Sequence, residues 1–207
     1  MTNENQLFSE FSRFLDANFA GLEIKKPLFY NWRFALRFDL QDFTKMEAKK
    51  PTQKYFVEVV ERARELYTAA FKPEDKIYVF YRKWDFGINI LSEINELKND
   101  DFYEFTERGT YEGAEFSFET TLICAEAKKL NMDKVLIAIS NLDYDRVPKI
   151  DGEVYIFNIK NKLIFNMYDD RGLDMIASEK WALSQIYKHY YKYLLDYDLK
   201  KMKIAFA

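Results

Sequence analysis

Three carboxylates and one arginine stand within six residues, at Asp169, Asp170, Arg171 and Asp174, inside the run IFNMYDDRGLDMI from Ile164 to Ile176. Two readings fit these residue types. Closely spaced carboxylates can hold a divalent cation, pair with a basic partner or do acid–base work, with the Arg171 guanidinium to steady them. The same residues also spell a turn. Asp is favoured at the first position of a type I turn and Gly at the fourth, the places of Asp169 and Gly172. A tight hairpin with a glycine bulge then accounts for Tyr168 to Gly172 without any chemistry, and Gly172 is expected to take a positive φ. The turn is the preferred reading, because it explains every residue type. The carboxylate cluster is the alternative.

Other chemistries lack material. The chain has one cysteine, Cys124, and one histidine, His189. It can form no internal disulfide, and a typical zinc site or histidine-based triad has no ligands to draw on. Cys124 lies in an apolar segment and is expected to be a buried thiol. His189 lies in KHYYKY and is expected at an interface or in the core; a Cys124–His189 dyad is formally available. There is no Gly-rich phosphate loop and no G-x-S-x-G elbow. The E-x-K pattern occurs at Glu126–Lys128 and Glu47–Lys49, a chance-level yield in a chain so rich in Glu and Lys. What remains for an enzyme is Asp169, Asp170, Asp174 and Glu153. No catalytic residue, metal ligand or cofactor is assigned.

Charge points elsewhere. The net charge is −3, whereas binding to phosphates needs concentrated Lys and Arg. The small basic clusters at Lys45, Lys49, Lys50 and Lys54 and at Lys200, Lys201 and Lys203 read as solvated surface. Between Glu93 and Glu119 nine acids face two bases, a local charge of −7 that leaves the remainder of the chain at +4. Such a run is either a solvated face or an acidic docking surface. The docking reading places Asp100, Asp101, Glu104, Glu107, Glu112 and Glu115 on it, with Tyr103 and Tyr111, and also Phe105 and Phe116, interleaved as anchors. A basic protein, such as a toxin domain, is the partner that fits; nucleic acid is disfavoured and the oligomeric state is open.

The elements that must position these residues follow from periodicity. The length of 207 residues fits one domain, and 19 Phe with 15 Tyr supply ample core. Residues 3–20 read as an amphipathic helix, and Trp32 to Asp39 as a strand with its aromatic face buried and Arg33, Arg37 and Asp39 opposite. Pro51 starts a second helix through Phe71, with Tyr55, Phe56, Val59, Ala63, Leu66, Tyr67 and Ala70 inward. Lys76 to Arg82 is a strand, Asn89 to Leu97 a short helix, and Phe102 to Glu107 and Glu115 to Cys124 are strands. Met132 to Leu142 suits a buried strand or a short helix; the helix is preferred. Glu153 to Ile159 and Lys162 to Tyr168 form a hairpin. Ser178 is expected to cap a long final helix through Leu195, with Leu183, Ile186, Tyr190 and Leu194 facing the sheet. The sum is an α+β domain with a mainly antiparallel sheet, flanking helices and a long C-terminal helix. Met1 to Gln6 is polar, not leader-like, and no apolar run approaches the ~20 residues of a membrane span, so a cytoplasmic protein is expected.

The segment GEVYIFNIKNKLIFNMYDDRGLDMIAS, the later LLDYD, NWRFALRF near residue 34 and the helix after Pro51 together resemble a bacterial family, domain-of-unknown-function family 3885, whose signature is YDDRG. All five signature positions, Tyr168 to Gly172, are present. The resemblance implies a small cytoplasmic bacterial protein, of a kind often found as immunity proteins beside secreted toxins; a DNA-binding role is a further implication. The expectation is a non-enzymatic binding protein that neutralises a cognate toxin through the acidic, aromatic-rich surface. The alternatives are a carboxylate-based enzyme using the YDDRG cluster and a nucleic-acid-binding regulator.

Overall fold

The computed structural model describes residues 6–47, 50–84, 88–111 and 114–206, with the backbone alone over 109–111 and 114–116. The helices are α1 (Gln6–Phe19), α2 (Gln53–Ala70), α3 (Met132–Ser140), α4 (Lys180–His189) and α5 (Leu199–Phe206). The strands are β1 (Phe34–Asp39), β2 (Met46–Glu47), β3 (Lys50–Pro51), β4 (Lys76–Lys83), β5 (Phe102–Tyr111), β6 (Ala114–Glu126), β7 (Gly152–Asn158), β8 (Leu163–Met167) and β9 (Gly172–Ala177). Seven of them make one antiparallel sheet in the order β1-β9-β8-β7-β4-β6-β5, and β2 pairs with β3 apart from it. The expected α+β class is therefore observed, and Met132 to Ser140 is the helix preferred over a strand.

Alternation along the strands sends two apolar sets to opposite faces. On one face Phe11 of α1 packs on Tyr78, Phe80 and Phe157, with ring centroids 5.2, 5.8 and 5.1 Å apart. On the other, Tyr67 of α2 meets Phe165 at 5.6 Å. Thr52 caps α2 by accepting the Tyr55 N–H, and all the inward α2 residues named from periodicity are buried except the half-buried Tyr67. Helix α3 packs against α2. Burial on both faces explains why β7, β8 and β9 are nearly all inaccessible.

Three elements differ from expectation: Pro51 lies in β3 rather than starting α2, which opens at the Thr52 cap, and two later segments depart further. Asn89 to Leu97 forms only a 3-10 turn, Ile90–Glu93, after which Ile94 bridges Leu130. The final helix stops at His189, with Glu179 rather than Ser178 at its N-cap, and resumes only at Leu199. Among the described residues, the buried Ser178 hydroxyl has no hydrogen-bond partner. The interruption has a use. Strand β1 is a sheet edge, and Leu194 bridges Phe38 while the Leu195 N–H donates to the Arg37 carbonyl at 2.9 Å. An extended strap satisfies edge groups that a continuing helix leaves bare. Leu183 and Ile186 are buried as expected and Leu194 is buried through the strap, but Tyr190 is half-exposed and stacks on Tyr193.

Beneath the strap lies a buried ion pair. Arg37 Nε donates to Asp174 Oδ1 at 2.9 Å, and Asp174 also accepts the Phe29 N–H at 3.1 Å. Burial pushes the Asp174 carboxyl above its ordinary pKa, against the pull of Arg37 and the Phe29 amide. Asp198, which follows the strap, lies 3.5 Å from Arg37 Nη1 and accepts the Tyr30 hydroxyl at 3.0 Å. Arg37→Met should cost about 3–5 kcal/mol in urea denaturation, because it strands a buried carboxylate. Asp174→Asn, which leaves the amide bond to Phe29 possible, should cost less.

Candidate functional site

The YDDRG residues close the β8–β9 hairpin, as the turn reading requires, with Met167 opposite Leu173 and the Tyr168 N–H donating to the Gly172 carbonyl at 3.2 Å. Asp169 caps the turn by accepting the Arg171 N–H at 2.8 Å, and it pairs with the Arg171 guanidinium. That guanidinium also reaches Asp143 at 3.2 Å and is the exposed part of the motif. The Arg171 carbonyl accepts the Leu40 N–H at 3.0 Å, which ties the loop to the end of β1.

Asp170 points toward the α2 layer. It accepts the Tyr55 hydroxyl at 2.5 Å and the Tyr144 hydroxyl at 3.2 Å, and Gln41 in turn donates to Tyr55 at 3.1 Å. Burial pushes the Asp170 carboxyl up, the Tyr55 bond opposes it, and the charge of Asp169 adds to the rise. Burial and the Asp170 charge push the Tyr144 phenol to about 12. Asp174 points to the other face, toward Arg37 and Phe29. The three carboxylates thus diverge, each into its own partners, and the proposed cluster does not form. Among the described residues, no three His, Cys, Asp or Glu side chains are placed to hold a metal ion.

Gly172 does not have the expected positive φ, which among the described glycines belongs to Gly21 and Gly152. Its need is spatial. A Cβ built there would stand 2.1 Å from the Tyr168 hydroxyl and 2.6 Å from Cζ of the same ring. Glycine lets the Tyr168 phenol fold back over the hairpin, with Arg37 5.7 Å from the ring centre on its path.

The remaining candidates separate as follows. Glu153, the fourth carboxylate of the enzyme reading, joins a different network: it pairs with Arg82 at 3.3 Å and accepts the Tyr155 hydroxyl at 2.8 Å. Glu107 shares that network through Arg82 at 3.2 Å and Thr120 at 2.6 Å, on the face that α1 covers. Tyr103 and Phe105 are half-buried there under Phe8, at 5.9 and 5.1 Å, so they anchor α1. Asp101 caps the 3-10 turn Asn99–Asp101 by accepting the Lys98 N–H at 2.9 Å. Glu93 is buried against Lys134 at 2.6 Å. The acidic run therefore does not share one face. Asp100 and Glu104 are exposed, and Glu104 and Glu119 line an open groove of about 550 Å³ with Tyr81, Lys83, Thr106 and Thr121. Glu112 and the side chains of Tyr111, Glu115 and Phe116 lie outside the described residues, as does Lys49 of one E-x-K pair. In the other pair Glu126 and Lys128 meet at 3.0 Å as a surface ion pair. Cys124 is buried, with its thiol pKa raised by burial. His189 is exposed on α4 and bonded to the Gln185 carbonyl, not in the core; α4 packs on β1 and β9, across the sheet from β6, so no dyad forms.

Sequence reasoning missed Tyr55, Tyr144 and Arg37 as partners of the motif. Periodicity marked Tyr55 as inward but says nothing of where its hydroxyl ends, and Asp170 is 115 residues away.

The chain belongs to the family described as "Domain of unknown function (DUF3885)", which matches residues 11–198. It is 23% identical over 210 residues to the uncharacterised protein YnaE of Bacillus subtilis, covering 89% of this chain and 96% of that one. No solved structure matches. Among the described residues, no helix is long and apolar enough to cross a membrane.

Gly172→Ala should destabilise by about 1–3 kcal/mol through overpacking, and much of that loss should vanish in a Tyr168→Ala background. A double-mutant cycle in urea measures the coupling; additive costs would mean that the ring is not what excludes the methyl. For Asp170 the sign is set by its raised folded-state pKa. The folded chain holds that proton more tightly, so its contribution falls as pH climbs from the unfolded value of about 4 through the folded one. The stability of Asp170→Asn relative to the parent should therefore rise over that window, as urea midpoints taken along a pH series would show.

Proposed function

We propose that this family member is a non-enzymatic cytoplasmic binding protein of the immunity type. It neutralises a cognate toxin of the same bacterium by engaging a basic surface of that toxin with the outer face of the β5–β6 hairpin. The observation that carries this reading is the open groove on that face, with Glu104 exposed in its wall, Glu119 exposed there and paired with Lys83 at 3.3 Å, and Asp100 nearby in sequence. Acidic side chains around a concave surface speed encounter with a basic partner and suppress acidic ones. The inward turn of Glu107 narrows the docking surface from the one read in the sequence. A carboxylate enzyme draws less support, because Asp169, Asp170 and Asp174 are each engaged by internal donors.

The test is affinity capture from the native lysate with the parent chain and with Glu104→Lys, Glu112→Lys and Glu115→Lys combined. Glu107 is left intact because it holds Arg82. A basic protein captured by the parent and lost from the folded variant is the expected result, with an association rate that falls as salt screens charges beyond about 8 Å. Capture that survives the charge reversal would sink the hairpin as the contact.

A further inference from the structure

The seven-stranded sheet has two edges, and the chain treats them differently. The β1 edge is strapped by Leu194 and Leu195. The other edge is β5, ten residues long and paired, among the described residues, with β6 alone. A bare edge of that length presents a row of unpaired N–H and C=O groups. Charged side chains on an edge ordinarily repel a second strand, so their order decides what can dock. Along β5 the exposed positions are Glu104, Thr106 and Arg108, while Tyr103 and Phe105 turn toward Phe8. Among the described residues, Arg108 forms no ion pair.

Acid, hydroxyl and base at alternate positions are their own complement when the strand lies antiparallel against a copy of itself. With Thr106 on the two-fold axis, each Glu104 stands opposite the Arg108 of the second copy, and Thr106 stands opposite Thr106. Opposite charges and paired threonines are favourable cross-strand neighbours. A parallel copy would set Glu against Glu. An antiparallel register shifted by two residues would set Glu104 or Arg108 against Thr106. Only one register satisfies the charges, and it is the isologous one that closes a dimer.

We propose that β5 is a homodimer interface, at which two copies of this chain join their sheets antiparallel about Thr106. The face of β5 that α1 covers is not needed for this, since strand addition uses the edge. The net acidity of the two hairpins opposes their approach, so salt that screens it should favour the dimer until the Glu104–Arg108 pairs are themselves screened. This interface goes beyond the binding role above and is tested on the isolated chain, so either reading can fail without the other.

Sedimentation velocity on the full chain, at physiological and at higher salt, should show a dimer. Glu104→Arg should weaken it about tenfold or more by setting Arg against Arg, and adding Arg108→Glu should restore it. In a Cys124→Ser background, Thr106→Cys should cross-link readily under mild oxidation, because residues opposite each other on antiparallel strands have Cα atoms roughly 4.5–5.5 Å apart. Ser117→Cys, exposed on β6, is the control and should cross-link poorly. A monomer at every concentration and both salts would overturn the proposal. So would a charge swap that fails to restore association, or cross-linking at Thr106 no faster than at Ser117. A chain that is monomeric alone but gains amide protection along β5 with a foreign protein would assign the edge to another partner and would equally overturn it.

Discussion

The contact between Arg37 and Asp174 is the constraint around which one end of the molecule is arranged. These residues face each other in register on neighbouring strands, Arg37 on β1 and Asp174 on β9. A carboxylate with no solvent access requires a cation and further donors, or its burial is very costly. Arg37 supplies the cation, and Phe29 supplies a backbone N–H, which holds the 3-10 turn Phe29–Asn31 against the sheet. Arg37 then needs cover of its own. Tyr30 lies over it at 4.8 Å and Asp198 approaches its far side, so the chain beyond α4 is drawn back along β1. The interrupted C-terminal helix follows from that demand: its residues satisfy an edge and a charge that a continuous helix would leave open.

The YDDRG hairpin is the complementary clamp on the opposite face. Asp170 reaches α2 through Tyr55 and the segment after α3 through Tyr144, while the Arg171 carbonyl holds Leu40. One short loop thereby joins the sheet, one helix and two connections. Residues of this kind look catalytic in a sequence because they are charged, close together and of few types. In the fold they are spread by the geometry of a hairpin, in which successive side chains leave in different directions. Burial raises two of the carboxyl pKa values, yet each of these groups is already engaged by donors, so the shift reflects structure.

The two edges of the sheet are finished differently. The β1 edge is closed by the chain itself, whereas the β5 edge and the groove beside it are open. Of the acidic run, Glu104 and Glu119 stand in that groove, whereas Glu93 and Glu107 are turned inward to Lys134 and Arg82.

The sequence by itself determined the class of fold, most of the strands, both long helices and the choice of helix for Met132 to Ser140, because each follows from local periodicity and turn chemistry. It also marked YDDRG as a turn, since Asp and Gly at those positions have a local cause. The family likeness carried by that motif holds over nearly the whole chain. What only the tertiary structure decided was the partner of each charged group. Asp170 finds Tyr55, Glu107 finds Arg82 and Asp174 finds Arg37 across separations of 115, 25 and 137 residues. No periodicity encodes those pairings; they depend on which strands become neighbours. The same reason governs Gly172, whose empty Cβ position answers to a ring folding back over the turn, and the end of α4, where an unpaired sheet edge outweighed helix propensity.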